Sequence, residues 1–364
     1  MRALVFLSHP AHFHLFRLTV EGLLAEGNEV EILLVKKDVL EDLVRGQGWT
    51  YRNIAPKGRR RPGLPILVST FLTVLDTEAK LLRRLRPKPD VLVGTELTLA
   101  HVGRLLGIPS VLFNEDDTSA TPENRLFYPF ADYLALPQCC DRGRWEKKRI
   151  SYAGYHELAY LHPRHFTPDP AVRDLLAPDG GRYFLLRLAH LTASHDVGKT
   201  GISNQLAADL IARLTPHGRV YITAERPLVP HLEPYRIALE PRLMHHAMAF
   251  SSLYLGDSQT MAAEAAVLGV PSVRFNDFVR RLGYLDELED RYGLTRGIPT
   301  SRPEALFEAV REMVEAPDGQ EAQRQRRQVM LREQCDPVPV YGTIIRLAAR
   351  RTPVARIREA IGLK

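Results

Sequence analysis

The chain has 364 residues, 45% of them hydrophobic, and a formal net charge of +6. This length exceeds what one ordinary core accommodates, so two domains are expected, and no apolar run approaches the roughly 20 residues that would span a bilayer. Three cysteines, at 139, 140 and 335, form neither a disulfide framework nor a metal-ligand spacing, which favours a cytoplasmic protein.

Residues 1–136 alternate apolar strands with helices. Strands are predicted over 3–8, 29–35, 50–54, 90–94, 110–114 and 133–136, and helices over 12–26, 38–46, 67–85 and 97–106. Such alternation predicts a doubly wound parallel sheet. Residues 139–180 break the pattern with four prolines and are predicted to be an interdomain linker, the first part of which still fits the N-terminal domain.

The alternation then resumes, with strands over 183–188 and 219–223 and a helix over 201–214. Residues 251–276, SSLYLGDSQTMAAEAAVLGVPSVRFN, predict a strand, a helix over 260–268 and a further strand. Helices over 303–315, 320–332 and 340–350 follow. We therefore predict an α/β protein with two Rossmann-like, doubly wound parallel-sheet domains, 1–165 and 166–340, facing each other across a cleft. A C-terminal helical segment at 341–364 is placed to fold back towards the first domain.

The turn Gly256-Asp257-Ser258 opens the helix of that central stretch. Helix N-termini present unpaired backbone N–H groups and the positive end of the helix dipole, and phosphate is their common ligand. Ser258 and Thr260 add hydroxyl donors, and Glu264, about one turn further on, is placed to accept both hydroxyls of a ribose. The pattern predicts a nucleotide diphosphate site; the alternative is that Ser258 only caps the helix and Glu264 is only solvated.

Three histidines, His9, His12 and His14, follow the first strand. They lack a third ligand at a metal-binding spacing. We therefore expect them to donate hydrogen bonds to a substrate phosphate or sugar hydroxyl, with helix-start packing as the alternative.

Acidic residues follow the next two central strands. Glu96 comes after the strand at 90–94, and Glu115 and Asp116 belong to the run NEDD that closes the strand at 110–114. Acceptor binding or general-base catalysis is the role we prefer for Glu115 or Asp116; an acidic metal site and a solvated loop are the alternatives. Glu123 lies in the first turn of the next helix.

In the second half, Arg187 lies at the end of the strand at 183–188, and His190 follows it. Thr223 ends the strand at 219–223, at an edge that would hold the base of a nucleotide. The run SHD at 194–196 does not predict a catalytic triad, because three consecutive side chains do not converge on one point.

Most of residues 1–275 resembles the domain-of-unknown-function 354 family, predicted glycosyltransferases of archaea and bacteria. The similar segments are SHPAHFHLF, VLDTEAKLL, LLGIPSVLFNE, GYHELAYLHP, ASHDVGKTGI and GDSQTMAAEAAVLGVPSVR. The resemblance implies the GT-B fold, in which the second domain binds a nucleotide-sugar donor, the first binds the acceptor, and the active site needs no metal.

The segment PDVLVGTELTLAHVGRLLGIPSVLFNEDDTSATPENR is also similar to the first domain of UDP-N-acetylglucosamine 2-epimerases. By motif position, this similarity places their catalytic carboxylates near Glu96, Glu115 and Glu123 and their catalytic histidine near His190. Their phosphate loop and ribose-binding glutamate match Asp257, Ser258, Gln259, Thr260 and Glu264. Gln259 and Thr260 stand where that family has a glycine pair.

Three functions follow as alternatives. A glycosyltransferase would move a sugar from a UDP-linked donor to an acceptor of surface polysaccharide or glycoconjugate synthesis, with His12, His14 or Glu115 as the base. An epimerase would abstract the C2 proton of the donor sugar, using the carboxylates and histidine named above. A non-catalytic protein would only bind the nucleotide sugar. None of the three requires a further cofactor, a metal or a nucleic acid.

Lys57, Arg59, Arg60 and Arg61 precede an apolar run that ends near residue 72. Basic charge beside exposed apolar groups favours anionic bilayers. Peripheral contact with the inner face of the membrane and a lipid-linked acceptor are therefore expected; the alternative is a basic loop that leads into a buried helix.

Overall fold

The computed structural model describes residues 1–37, 39–56, 66–189, 201–316 and 319–362. The chain divides into two compact units. The first comprises Met1–Tyr160 together with Cys335–Lys364, and the second comprises Leu161–Gln334. Each unit is built on one parallel sheet.

The sheet of the first unit has seven strands in the order β3-β2-β1-β4-β5-β6-β7. They are β1 (Arg2–Leu7), β2 (Glu29–Val35), β3 (Tyr51–Ala55), β4 (Val91–Gly94), β5 (Ser110–Phe113), β6 (Tyr133–Pro137) and β7 (Arg149–Tyr152). Every pairing is parallel. The strand order reverses between β1 and β4, which opens a crevice at the carboxyl ends of these two strands.

Helices cover both faces of this sheet, which is why its strands are almost continuously apolar. They are α1 (Pro10–Ala25), α2 (Leu40–Gly46), α3 (Ile66–Arg84), α4 (Thr98–Leu106), α5 (Asn124–Phe127), α6 (Leu158–Leu161), α14 (Pro337–Ala349) and α15 (Val354–Ala360). One buried cluster joins Phe6, Leu33, Leu92, Leu112 and Leu134 from five neighbouring strands.

The sheet of the second unit has five strands in the order β12-β11-β10-β8-β9. They are β8 (Tyr183–Leu188), β9 (Arg219–Ala224), β10 (Leu253–Gly256), β11 (Ser272–Phe275) and β12 (Thr295–Ile298). The helices are α7 (Pro170–Leu176), α8 (Asn204–Leu214), α9 (Met244–Phe250), α10 (Gln259–Leu268), α11 (Gly283–Asp290), α12 (Pro303–Glu315) and α13 (Gly319–Glu333). Here the strand order reverses between β8 and β10, so the ligand crevice is expected beside α10.

The predicted architecture of two Rossmann-like parallel-sheet domains is confirmed, with two local corrections. The linker prediction for 139–180 is wrong at Arg149–Tyr152, which forms β7. A charged residue at its start obscured this strand, yet Arg149 is buried and donates to the carbonyl oxygens of Asp141 and Pro137. The strand Thr295–Ile298 was also not predicted. No helix in the described part of the chain is long and apolar enough to cross a membrane.

Candidate functional site

The N-terminus of α10 lies at the carboxyl end of β10, between β11 and β8 in the middle of the second sheet. Ser258 is the N-cap residue, and its hydroxyl accepts a hydrogen bond from the backbone N–H of Met261 at 3.4 Å. The Ser258 hydroxyl therefore caps the helix, and its contact with a ligand stays a prediction. Gln259 and Thr260 form the first turn and are half-buried. The arrangement has the elements of an anion site: a helix N-terminus at the topological switch point of an open sheet.

Close packing at the end of β10 requires Gly256. A Cβ atom there would lie 2.5 Å from the hydroxyl oxygen of Tyr254 and 2.7 Å from Cβ of Arg187. Because Gly256 has no side chain, the backbone of β10 packs directly against Tyr254 and Arg187, immediately before α10.

Asp257 is buried, and its carboxylate is used within the protein. One oxygen accepts from the backbone N–H of Ala189 at 2.7 Å, and the other accepts from that of Ile202 at 3.1 Å. Burial raises the pKa of Asp257 to about 6. Both residues flank the segment 190–200, so Asp257 fixes the chain on either side of it. Binding of substrate by Asp257 stays a prediction.

Glu264 is 6% exposed, which makes the solvated alternative wrong for this residue. Its Oε1 lies 3.0 Å from Nε2 of His245 on α9. The ring of Phe166 lies edge-on to His245, with centroids 6.3 Å apart. A buried carboxylate beside a histidine and an aromatic ring is fixed in orientation, as a ribose-binding group must be.

Arg187 and Thr223 meet at the carboxyl ends of β8 and β9. Nη1 of Arg187 donates to the Thr223 hydroxyl at 2.8 Å, and Nη2 pairs with Glu225. Nε of Arg187 and the hydroxyl of Tyr254 are buried and have no hydrogen-bond partner among the described residues. Polar atoms of this kind are costly unless something satisfies them, so this edge has spare capacity for a polar ligand. His190 lies outside the described residues.

In the first unit, His12 connects the ends of β1 and β4, where the strand order reverses. Its Nδ1 lies 3.3 Å from the backbone N of Ser8 and 3.0 Å from the Thr95 hydroxyl. His9 is exposed and caps α1, accepting from the backbone N–H of Ala11 at 3.2 Å. His14 packs its ring against Tyr160, with centroids 5.4 Å apart. The three predicted histidines therefore have three different surroundings.

Glu115 follows β5 and lies against His156. Its Oε2 accepts from the backbone N–H of His156 at 3.2 Å, and its Oε1 lies 3.5 Å from Nδ1 of that residue. Burial, followed by the negative charges of Glu157 and Asp116, raises the pKa of Glu115 well above its ordinary value. Burial also lowers the pKa of His156 to about 3, so this imidazole is neutral at physiological pH and does not stabilise the ionised form of Glu115 by its charge.

The remaining acidic candidates lie at the starts of helices. Oε1 of Glu96 accepts from the Thr98 hydroxyl at 3.5 Å, at the beginning of α4. Glu123 is half-buried and immediately precedes α5. Asn114 is structural, because its Oδ1 accepts the backbone N–H groups of both Glu115 and Asp116. Among the described residues no group of three His, Cys, Asp or Glu side chains is arranged to hold a metal ion.

Sequence reasoning did not single out His245 or His156. Each is the contact partner of a predicted carboxylate, and each lies far from it along the chain: 19 residues for His245 and 41 for His156. His156 does fall within GYHELAYLHP, a segment already noted for its family resemblance.

The structure is similar to solved structures of known proteins over nearly the whole chain. UDP-GlcNAc 2-epimerase from Neisseria meningitidis, in a structure with UDP-GlcNAc, is 14% identical, with a TM-score of 0.64 over 97% of this chain and 100% of that one. MnaA of S. aureus, in a structure with UDP, is 12% identical, with a TM-score of 0.68 over 96% of this chain and 97% of that one. The spinosyn rhamnosyltransferase complexed with thymidine diphosphate is 17% identical, with a TM-score of 0.63 over 94% of this chain and 100% of that one.

The chain has the GT-B fold. At these identities the structural similarity establishes the fold alone. No protein-family model matches the sequence, and no curated protein matches it.

Proposed function

We propose that the protein is a glycosyltransferase that moves a sugar from a UDP-linked donor to an acceptor of surface polysaccharide or glycoconjugate synthesis. The observation that carries this proposal is the pairing of two features on one helix. The N-terminus of α10 opens at the switch point of the second sheet, and Glu264 lies buried on the same helix beside His245. A nucleotide diphosphate offers a phosphate to the first and a ribose diol to the second.

The proposed chemistry follows from charge. As the sugar leaves, negative charge grows on the diphosphate, and the backbone N–H groups and dipole of α10 stabilise it in the transition state. The acceptor hydroxyl needs a base, and Glu115 fits this role because its raised pKa brings its proton affinity closer to neutral pH. His12, beside Thr95, is the second candidate for the base. Structural relatives in this fold include glycosyltransferases. The motifs quoted above support membership of the domain-of-unknown-function 354 family.

A UDP-N-acetylglucosamine 2-epimerase-like activity is the second candidate. The observation that favours it is the crowding of Glu115, Asp116 and Glu157, because a carboxyl with a raised pKa also suits abstraction of a C2 proton. One of the structural relatives named above, from Neisseria meningitidis, is an epimerase, which supports this candidate as well.

Incubation of the protein with UDP-N-acetylglucosamine alone, followed by proton NMR, separates these functions. A transferase is expected to release UDP slowly by hydrolysis and to form no epimer. Formation of the 2-epimer without any acceptor would overturn the transferase proposal in favour of the epimerase. Tight binding of UDP in calorimetry without turnover, even when candidate acceptors are added, would instead identify a non-catalytic binding protein.

A further inference from the structure

Exposed apolar side chains are concentrated on one part of the first unit. Ten large hydrophobic side chains are exposed in the described part of the chain, and seven of them lie between residues 68 and 130. These seven, which we name the α3 face, are Val68, Phe71, Leu75, Leu82, Leu105, Leu126 and Phe130. Singly scattered apolar residues are normal on a protein surface, whereas a cluster of this kind marks an interaction site.

Helix α3 carries two apolar sides. Thr77 and Leu81 are buried and face the core, at 4% and 0% exposure. Val68, Phe71, Leu75 and Leu82 recur at intervals of three, four and seven residues, so they form a second stripe along the helix. Phe71 on this stripe is 61% exposed. Packing within the unit therefore accounts for one side of α3 and leaves the other in water.

Contacts through His101 connect this stripe with the other members of the α3 face. Glu78 on α3 lies 2.7 Å from Nδ1 of His101 on α4. Nε2 of His101 lies 3.3 Å from the carbonyl oxygen of Leu126, and its ring lies edge-on to Phe130 with centroids 4.7 Å apart. Leu105 follows one turn later on α4. The α3 face is therefore one surface built from neighbouring elements.

Exposed cations lie close to this surface along the chain. The exposed basic side chains that lie within six residues of a member of the α3 face in the sequence are Arg83, Arg86, Lys88, Arg104 and Arg125. None of them has a carboxylate partner within the residues that the structure describes, whereas Asp76 is paired with Lys80 and Glu78 with His101. Arg83, Arg104 and Arg125 are each next to an exposed leucine in the sequence. The surface therefore combines apolar area with five cations that form no ion pair within the described residues.

The combination of apolar area and positive charge indicates which partner the α3 face binds. A second copy of the chain docked through the same face would bring five unpaired cations against five others, which is unfavourable. An anionic bilayer takes up apolar side chains below its head groups and attracts cations at its surface. We propose that the α3 face docks the protein on membranes that contain anionic lipids. The proposal is independent of the reaction assigned above. It rests on described residues, whereas Lys57, Arg59, Arg60 and Arg61 lie outside them.

Vesicle flotation of the full chain tests the proposal. The protein should float with vesicles of phosphatidylcholine and phosphatidylglycerol, should remain behind with phosphatidylcholine alone, and should detach as salt rises. The double variant F71Q/L75Q should lower the partition coefficient for the anionic vesicles roughly tenfold or more, and R83Q/R86Q should weaken binding to these vesicles as well. The matched control L175Q/V329Q, which changes exposed apolar residues of the second unit, should bind like the unchanged protein.

Equal recovery with both lipid compositions, or a loss as large in L175Q/V329Q as in F71Q/L75Q, would overturn the proposal. Sedimentation velocity of the same samples tests the alternative that the α3 face binds a second copy of the chain. A dimer that F71Q/L75Q converts to a monomer, without any vesicle binding by the unchanged protein, would assign the α3 face to self-association instead. Because the replaced side chains are exposed, all variants should keep the melting temperature of the unchanged chain, and this confirms that they are folded.

Discussion

Removal of the Glu264 carboxylate should abolish the ability of the protein to recognise a ribose. Glu264 is buried on α10, and His245 fixes one of its oxygens at 3.0 Å. In our proposal this carboxylate accepts hydrogen bonds from the 2′ and 3′ hydroxyls of the donor nucleotide. The variant Glu264→Ala should therefore bind UDP more weakly, and it should also cease to distinguish UDP from 2′-deoxy-UDP.

The expected magnitude follows from the type of hydrogen bond. A hydrogen bond to a charged group contributes about 1.5–3 kcal/mol, and each 1.4 kcal/mol is about a factor of ten in affinity. Wild-type protein should prefer UDP over the deoxy nucleotide by about 10- to 150-fold, and Glu264→Ala should bind both with nearly equal affinity. The substitution also removes a partner of His245, so a loss of folding stability of about 1–3 kcal/mol is expected.

Isothermal titration of both nucleotides into both proteins gives the four dissociation constants that are needed. The comparison separates ribose recognition from general damage, because a structural defect at α10 would weaken both nucleotides equally and keep their ratio. A Glu264→Ala protein that still prefers UDP by the wild-type factor would refute the ribose-binding role. Unchanged affinity for UDP itself would refute it more directly.

Two further predictions concern carboxyls with a raised pKa. Glu115→Gln should lower turnover by about 10²–10⁴-fold without changing the affinity for UDP. It should also remove the limb of the kcat/KM profile that rises with pH through the pKa of Glu115, which lies above 4.5. An unchanged profile would exclude Glu115 as the base. The pKa of Asp257 is about 6 in the folded protein and 3.8 ordinarily. The protonated carboxyl therefore stabilises the folded state fully below pH 3.8, and this stabilisation is lost as the pH rises to about 6. The loss amounts to about 3 kcal/mol, and urea unfolding at several pH values should show this decline in wild type and a flatter curve in Asp257→Asn.

Much of the fold could be predicted because the strands of a parallel sheet are buried on both faces and therefore appear as apolar runs. β8 and α12 were predicted with the bounds that the structure shows. The two strands that were missed, β7 and β12, are short and lie at the edges of their sheets. An edge strand pairs on one side only, so its composition is less constrained, as the sequences RISY and TRGI illustrate.

The candidate site could be predicted only in part. A residue at or just after the end of a strand lies at the carboxyl edge of the sheet, so Glu115, Arg187 and Ser258 could be predicted from the sequence. Their partners were not, since the contact of Glu264 with His245 and that of Glu115 with His156 depend on how separate elements pack. The sequence likewise does not show that the Asp257 carboxylate is already engaged by backbone N–H groups.

The contrasting surroundings of the Glu264 and Glu115 carboxyls suggest different tasks for them. Glu264 lies against His245, an arrangement that holds a carboxylate in place for binding. Glu115 lies between other acidic groups and a neutral imidazole, an arrangement that makes its ionised form unfavourable and its proton affinity high. Environments that make the charged form unfavourable cluster where protons are transferred. In our proposal, the second unit recognises the donor and Glu115 of the first unit transfers the proton, a division that suits sugar transfer between two substrates.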